Sequence, residues 1–237
     1  MAINQVVTFD ILDLVFRICL GCDVGTAFAI EVDERQYIVT AKHLTVPGHQ
    51  PTSLEIDYKG RFRDIPCRFV GYGEGDSDVV VLAASQQLAP GYPTSPSRAG
   101  LGLSQDVYFL GFPYNMGAVR EEIGTFFPMP LVKKAITSGS EPGRYGALYL
   151  DCHNNSGFSG GPIVSRPNRK QDLQICAVVS GFRTEDVRAL KGTDEDVTDL
   201  IVRLNTGIII AYPIDVAIEA IRSDPIGFLK LMEQNTV

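Results

Sequence analysis

Short apolar runs bounded by turn residues recur along most of this chain of 237 residues. Such runs, rich in Val, Ile and Phe, are typical of strands in a β-sandwich or β-barrel. Helical periodicity is hard to find in the first half, so the pattern predicts an all-β fold. The strands predicted there are Leu14–Cys19, Gly25–Glu31, Tyr37–Ala41, Ser53–Tyr58, Ile65–Val70 and Asp78–Ala83.

A segment dense in Pro, Gly and Ser, residues 86–102, divides this β-rich region into two similar halves. Pro and Gly interrupt both ladders and helices, so the segment is a connector. We therefore predict two β domains, residues 1–90 and 106–212, joined by a linker at 91–105. The strands predicted in the second half are Asp106–Phe112, Leu148–Asp151, Pro162–Ser165, Leu173–Phe182 and Thr206–Tyr212.

The C-terminal segment, residues 213–237, is the only part with helical spacing. Four apolar residues after Pro213 share one helical face: Ile214, Ala217, Ile218 and Ile221. Asp224 and Pro225 then predict the start of a second short helix that runs to about Gln234.

Composition excludes several classes of function. The net charge of −7 argues against a nucleic-acid binder, which needs a basic face. No stretch approaches the ~18 apolar residues of a membrane span. The first residues do not resemble a signal peptide. The cysteines number five, an odd count, which favours a reducing cytoplasm over an oxidising compartment.

The most informative motif is the segment 151–162, Asp-Cys-His-Asn-Asn-Ser-Gly-Phe-Ser-Gly-Gly-Pro. A nucleophilic serine needs backbone N–H groups aimed at the developing oxyanion, and glycines permit the tight turn that aims them. Ser159 is the candidate nucleophile, and the N–H groups of Gly157 and Ser159 are the candidate oxyanion donors. The nucleophile elbow of α/β-hydrolases shares this pattern, but it requires a histidine after the serine, and the chain has none there.

Two further residues complete a catalytic set. His43 follows a predicted strand that ends in Thr-Ala, and Asp78 opens the apolar strand Val-Val-Val-Leu. A partly buried aspartate can hold an imidazole in one tautomer and stabilise its protonated form. Asp76 has the same strand parity and stays a minor alternative.

These three motifs resemble the trypsin-like, chymotrypsin-fold serine proteases, closest to the HtrA-like bacterial branch without a PDZ domain. The resemblance implies two antiparallel six-stranded β-barrels with a C-terminal helix and a catalytic triad between the barrels. It implies a serine endopeptidase with His43 as general base, Asp78 as its orienter and Ser159 as nucleophile, acting on a protein or peptide substrate. It also implies a substrate-binding site formed by His153, Val179, Ser180 and Gly181.

The chain departs from secreted trypsins in two respects. Phe158 stands where many of them carry an aspartate that pairs with a newly cut N-terminus, and the chain lacks their Ile-Val-Gly-Gly start. Activation by that cleavage is therefore not expected. No cofactor, no metal, no nucleic acid and no membrane are expected as partners. Cys19 and Cys22 have redox or zinc-ligand spacing but no matching second pair, so we expect two ordinary thiols.

Other readings stay open at this point. A catalytically idle or partner-activated interaction module would carry the same residues, and so would a viral polyprotein protease. The polar, net-acidic insertion at residues 183–205 would then be the place for a regulatory partner, although a solvated surface loop fits it as well.

Overall fold

The computed structural model describes residues 6–21, 23–58, 60–91, 96–117, 128–166, 173–191 and 195–229, and it describes residues 190, 191 and 195–199 by their backbone alone. The strands of the N-terminal half are β1 Val15–Leu20, β2 Asp23–Val32, β3 Arg35–Thr40, β4 Ser53–Tyr58, β5 Arg61–Tyr72 and β6 Val80–Ala84. Those of the C-terminal half are β7 Asp106–Gly111, β8 Leu131–Ser140, β9 Leu148–Asp151, β10 Pro162–Ser165, β11 Gln174–Lys191 and β12 Glu195–Pro213. The helices are α1 Phe9–Leu12 and α2 Asp215–Ser223, and β13 Phe228–Leu229 follows α2.

Each half closes into an antiparallel β-barrel. The first has the strand order β3-β2-β1-β4-β5-β6, and pairing between β3 and β6 closes it. The second has the closed order β10-β11-β12-β9-β8-β7. The predicted fold class, two six-stranded antiparallel barrels, is confirmed, and α2 is the predicted C-terminal helix. The domain boundaries at 1–90, 91–105, 106–212 and 213–237 stay a prediction.

Alternating inward side chains fill both barrels. Phe16, Phe28 and Leu82 are fully buried in the first, and Phe109 and Val179 in the second. Burying one such side chain contributes roughly 1.5–3 kcal/mol relative to leaving it exposed, so each barrel has its own hydrophobic core.

Two buried threonines tie the barrels together at their junction. The hydroxyl of Thr40 donates to the carbonyl of Thr26 at 2.7 Å, and the hydroxyl of Thr26 donates to the carbonyl of Gly157 at 2.7 Å. Thr26 and Thr40 lie on adjacent strands of the first barrel, whereas Gly157 belongs to the second. The hydrogen bond from Thr26 to Gly157 joins the two barrels, whereas the one from Thr40 stays within the first barrel and holds the Thr26 backbone in place.

Three parts of the fold differ from the sequence prediction. Strand β8 was missed, because its two lysines and alternating exposure leave no continuous apolar run. The helix predicted from Asp224 is wrong over its described part, where Phe228 pairs with Gln36 of β3 and makes β13 an extra edge strand of the first barrel. The rest of that predicted helix, residues 230–234, lies outside the described residues.

The insertion at residues 183–205 is not an irregular loop. Strands β11 and β12 continue past the barrel as an antiparallel pair, with Thr184 opposite Asn205 and Val187 opposite Val202. We call this two-stranded projection, residues 183–191 and 195–205, the ribbon. None of the helices in the described part of the chain is long and apolar enough to cross a membrane.

Candidate active site

His43 and Asp78 meet because the ladder of the first barrel places them side by side. His43 lies in a 3-10 turn directly after β3, and Asp78 directly precedes β6, which pairs with β3. The Nδ1 atom of His43 lies 2.6 Å from Oδ2 of Asp78, and the backbone N–H of His43 donates to Oδ1 at 2.8 Å. A carboxylate accepts only, so Nδ1 carries the hydrogen and Nε2 is left as an acceptor.

The pair perturbs the protonation of both residues. The hydrogen bond with Asp78 raises the pKa of His43 above its ordinary 6.5, although burial acts to lower it. Burial acts to raise the pKa of Asp78, but hydrogen bonds from His43 and Ser180 outweigh it and leave that pKa below its ordinary 3.8. Asp78 is therefore an ionised partner that stabilises a protonated imidazole.

The alternative carboxylate, Asp76, is exposed in the turn before β6, whereas Asp78 is half-buried against His43. The carboxylate that the structure brings to the histidine is thus that of Asp78.

Ser180 and Ser159 extend the same hydrogen-bonded chain into the second barrel. The hydroxyl of Ser180 donates to Oδ2 of Asp78 at 2.6 Å. The hydroxyl of Ser159 donates to the carbonyl of Ser180 at 3.0 Å. Among the described residues, Ser180 rather than His43 is the hydrogen-bond partner of the Ser159 hydroxyl. The structure therefore joins His43 to Asp78 directly and Asp78 to Ser159 through Ser180.

The chain around Ser159, residues 151–161, is here called the serine loop. It contains three glycines at which a Cβ would clash with backbone, and two of them, Gly157 and Gly160, also have a left-handed φ. Gly157 has a φ of 104°, and a Cβ there would lie 2.3 Å from the carbonyl oxygen of Phe112. Gly160 has a φ of 80°, and a Cβ there would lie 2.1 Å from the carbonyl oxygen of Thr26. Left-handed backbone and close packing together explain the glycines.

The serine loop leaves two N–H groups available. The carbonyls of Gly157 and Ser159 accept from the Thr26 hydroxyl at 2.7 Å and the Thr26 N–H at 2.9 Å. Within the described residues, neither the N–H of Gly157 nor that of Ser159 donates to a protein acceptor. Two donors beside a serine hydroxyl are what a tetrahedral oxyanion requires.

The predicted substrate-binding residues lie on two neighbouring walls. Val179, Ser180 and Gly181 belong to β11, and His153 is exposed on the serine loop. Between the walls, the buried amide of Asn154 donates to the carbonyl of Gly181 at 3.3 Å. The involvement of these residues in substrate binding stays a prediction.

Asn205, at the base of the ribbon, also contacts the serine loop. Its amide donates to the carbonyl of Asn154 at 2.8 Å, and its Oδ1 accepts from the N–H of Gly207 at 2.9 Å. The base of the ribbon and the serine loop are thus joined by hydrogen bonds.

Lys133 on β8 supports the serine loop from behind. Its ammonium group donates to the carbonyl of His153 and lies 3.4 Å from Oδ1 of Asn155. It also lies over the rings of Phe109 and Phe158, at 5.6 and 5.9 Å from their centroids. Phe158 is fully buried and packs edge to face on Phe109. Phe158 stands at the position of the aspartate that pairs with the N-terminus in many secreted trypsins, so an aromatic contact and the Lys133 ammonium group replace that ion pair.

Sequence reasoning missed Thr26, Lys133, Asn154 and Asn205. Asn154 lies inside the quoted motif 151–162, and Thr26 lies in the predicted strand Gly25–Glu31, where a polar residue in an apolar run was a usable signal. Lys133 and Asn205 lie on strands with no motif, and only the tertiary structure reveals their contacts. In the described part of the chain, no three His, Cys, Asp or Glu side chains gather into a metal-binding group, while Cys22 lies outside it.

Two closed β-barrels, with a His–Asp pair on one and a glycine-bounded serine on the other, are the arrangement of the chymotrypsin fold. The sequence profile of the trypsin-like peptidase domain matches residues 25–169, more than half of the chain. The chain belongs to the trypsin-like peptidase family. This match confirms the predicted family and, with it, the predicted enzyme class, serine endopeptidase.

Solved structures of similar fold include HtrA-type proteases. The HtrA-type protease AlgW with a tripeptide is 18% identical with a TM-score of 0.54, and the match covers 91% of this chain and 61% of that one. A serine endoprotease from Yersinia pestis is 19% identical with a TM-score of 0.54, covering 91% and 64%. The inactive form of Rv3671c from M. tuberculosis H37Rv is 17% identical with a TM-score of 0.56, covering 93% and 90%.

The chain thus spans less than two thirds of the length of the first two of these proteins. At these identities the likeness establishes the fold. A comparison with curated proteins gives no match.

Proposed function

We propose that the chain hydrolyses peptide bonds of a protein or peptide substrate through an acyl-enzyme formed at Ser159. His43 acts as general base and then general acid, and Asp78 orients it. The N–H groups of Gly157 and Ser159 form the oxyanion hole.

Acylation follows from the groups present. Oγ of Ser159 attacks the scissile carbonyl carbon while its proton passes to Nε2 of His43. The carbonyl oxygen gains the negative charge, which the N–H groups of Gly157 and Ser159 stabilise. His43 then gives its proton to the leaving amine as the C–N bond breaks, and an ester on Ser159 remains.

Deacylation repeats the proton transfers with water. A water molecule attacks the ester carbonyl and gives its proton to His43. The tetrahedral intermediate collapses, Oγ of Ser159 leaves, and it takes the proton back from His43. Asp78 stays ionised throughout, consistent with its lowered pKa.

One observation carries this proposal: a continuous chain of contacts runs from His43 through Asp78 and Ser180 to Ser159, beside two N–H groups that have no acceptor among the described residues. A merely structural serine loop would not need an ionised carboxylate, an oriented imidazole and two available donors at one point.

Cleavage of a reduced, alkylated protein substrate tests the proposed roles, with products read by mass spectrometry. Asp78→Asn should lower kcat by about four orders of magnitude, because the amide favours the wrong imidazole tautomer. Asp76→Asn is the matched control and should retain wild-type activity, since Asp76 is exposed. Equal losses in both variants, or undiminished cleavage by Ser159→Ala, would contradict the proposal.

A second candidate function has one observation in its favour. The Ser159 hydroxyl donates to Ser180, so the nucleophile is not aligned on His43 in this conformation. A partner-activated or idle interaction module would have this arrangement at rest. In the protease, binding of a substrate N–H to the Ser180 carbonyl would release the hydroxyl to His43.

We also propose a cytoplasmic location. Among the described cysteines, Cys67, Cys152 and Cys176 are free thiols. Burial raises the pKa of Cys67 and of Cys176 to about 12, so both remain unreactive thiols. Cell fractionation tests this location, and recovery of the protein outside the cytoplasm would refute it.

A further inference from the structure

Strand β11 is paired on both edges for only part of its length. Strand β10 lies beside it from Gln174 to Val178, and β12 accompanies it on the other edge as far as Lys191. In the described part of the chain, no strand lies beside the first edge of β11 beyond Val178. This free edge begins next to Ser180, the residue that contacts the nucleophile.

The direction of the backbone groups along this edge follows from two contacts. The Ser180 carbonyl faces Ser159, away from β12. The Arg183 carbonyl faces β12, where it accepts from the hydroxyl of Thr206 at 2.9 Å. Because peptide groups alternate along a strand, the even-numbered residues point outward. The free edge therefore presents the N–H and C=O groups of Phe182, Thr184, Asp186 and Arg188.

A bound peptide must run along this edge in one direction. His43 protonates the leaving amine, so the C-terminal half of the substrate passes His43. The N-terminal half leaves Ser159 on the other side, beside Ser180, and continues along β11 toward the ribbon. A substrate in this direction is antiparallel to β11, which gives well-aligned main-chain hydrogen bonds.

The two faces of the ribbon differ in polarity. On one face, Val187 lies opposite Val202, and the next pair places Glu185 opposite Leu204. Val202 and Leu204 are 40% and 47% exposed. On the other face, Arg203 forms an exposed ion pair with Asp186 at 2.7 Å, and Ile201, 62% exposed, lies opposite Arg188. An added strand would place every second side chain against the apolar face.

We propose that the free edge of β11 from Phe182 to Arg188 extends the substrate-binding site and pairs, by β-strand addition, with an extended polypeptide segment N-terminal to the scissile bond. This inference rests on the proposed endopeptidase function. The occupant is the substrate itself, because the edge is continuous with the nucleophile. The sixth and eighth residues before the scissile bond would lie beside Glu185 and Val187 of β11, since antiparallel pairing advances one residue at a time and β12 occupies the other edge of β11.

The free edge of β11 also affects the solubility of the protein. An unpaired strand edge with exposed apolar neighbours is an aggregation hazard, and proteins usually cover or blunt it. No strand of the described residues covers this edge, and the charged Asp186 and Arg188 blunt it, which suits a surface that is covered when substrate binds.

Peptide length tests the proposal most directly. We compare kcat/KM for peptides with four and with nine residues before the same scissile bond. The longer peptide should be cleaved about tenfold faster at low concentration, since several main-chain hydrogen bonds and an apolar contact with Val187 are added. N-methylation of its fifth or seventh residue, whose N–H faces β11, should abolish the gain. N-methylation of the sixth residue should leave it intact.

Two protein variants locate the effect on the ribbon. Thr184→Pro removes one outward N–H without breaking the ladder with β12, and Thr184→Ala is its matched control. A second variant replaces residues 185–204 with an Asn-Gly turn, which removes Asp186 and Arg188 from the free edge and keeps the pair Thr184 and Asn205. Both Thr184→Pro and the shortened ribbon should lose the advantage of the long peptide and cleave the short peptide normally.

Three results would overturn the inference. The first is a length advantage that survives in the shortened ribbon. The second is equal cleavage of both peptides by the wild-type protein. The third is a wild-type dimer that the shortened ribbon converts to a monomer, which would assign the edge to a second copy. Covalent labelling of Ser159 by a fluorophosphonate separates these cases from failure of the protease proposal, because labelling does not involve the ribbon.

Discussion

Two glycines with nearly the same backbone conformation lie in very different surroundings. Gly160 of the serine loop has a φ of 80°, and Gly207 at the base of the ribbon has a φ of 79°. A Cβ on Gly160 would lie 2.1 Å from both the Thr26 carbonyl and the Thr40 hydroxyl, whereas a Cβ on Gly207 would meet nothing within 4 Å. The serine loop is enclosed by the first barrel, and the ribbon is open.

The enclosed serine loop and the open ribbon are suited to different roles. The serine loop holds the nucleophile and the oxyanion donors, whose positions must be fixed for chemistry. The ribbon carries exposed backbone and apolar side chains, which suit contact with a second chain. The first region should tolerate almost no change, and the second should tolerate many.

The largest expected effect contrasts these two glycines. Gly160→Ala should lower the free energy of unfolding by about 3 kcal/mol or more, because left-handed strain of roughly 1–2 kcal/mol adds to a backbone clash. Gly207→Ala should cost only the strain, about 1 kcal/mol. Urea unfolding followed by circular dichroism measures both values. Equal losses would show that the serine loop is no more constrained than the ribbon.

A smaller effect is expected behind the serine loop. Lys133→Met should lower kcat about tenfold with little change in KM, because the loop that carries the oxyanion donors loses its contact at His153 and Asn155. Lys134→Met is the matched control, since Lys134 points outward and pairs with exposed Asp106 at 2.9 Å. Lys133→Arg should recover part of kcat. If Lys133→Met lowers the free energy of unfolding but leaves kcat unchanged, Lys133 stabilises the fold and does not position the oxyanion donors.

The smallest effect is the response to pH. His43 must be neutral to accept a proton, so kcat/KM should fall as pH drops through its pKa, at a midpoint above 6.5. Removing the carboxylate in Asp78→Asn should move this midpoint downward. A midpoint at or below 6.5 in the wild-type protein would contradict the contact between His43 and Asp78.

The same pair contributes to stability in a defined pH window. The raised pKa of His43 gives stability that is complete below 6.5 and lost as pH rises through the folded-state pKa. The lowered pKa of Asp78 gives stability that is present above 3.8 and lost as pH falls through the folded-state pKa. Wild-type and His43→Ala proteins should therefore differ most in unfolding free energy near pH 5, and less at pH 9.

Most of the fold was predictable because buried strands have continuous apolar runs in the sequence. Strands β4, β9 and β10 match their predicted bounds. Strand β8 was not predictable, since alternating exposure and two lysines hide it until β7 and β9 pair with it on either side. The error at β13 has a similar origin: the spacing of Ile226 and Leu229 fits a helix, but the open edge of β3 decides the conformation.

The candidate site also contains some residues that local sequence predicts and others that only the tertiary structure brings there. His43, Asp78 and Ser159 are local signals, because each lies in a turn of characteristic composition. Lys133 comes from a strand of ordinary composition, and its contact with the serine loop depends on the curvature of the second barrel. The ribbon was expected to be irregular because its polar sequence lacks long apolar runs, yet cross-strand pairing orders it.

Reaction with a fluorophosphonate probe, read by intact mass, tests the central claim most directly. The wild-type protein should gain one probe mass at Ser159, whereas Ser159→Ala and His43→Ala should remain unlabelled over the same time, since each loses roughly three to six orders of magnitude in rate. A folded wild-type protein that stays unlabelled would contradict the proposed catalytic triad and favour the idle or partner-activated module.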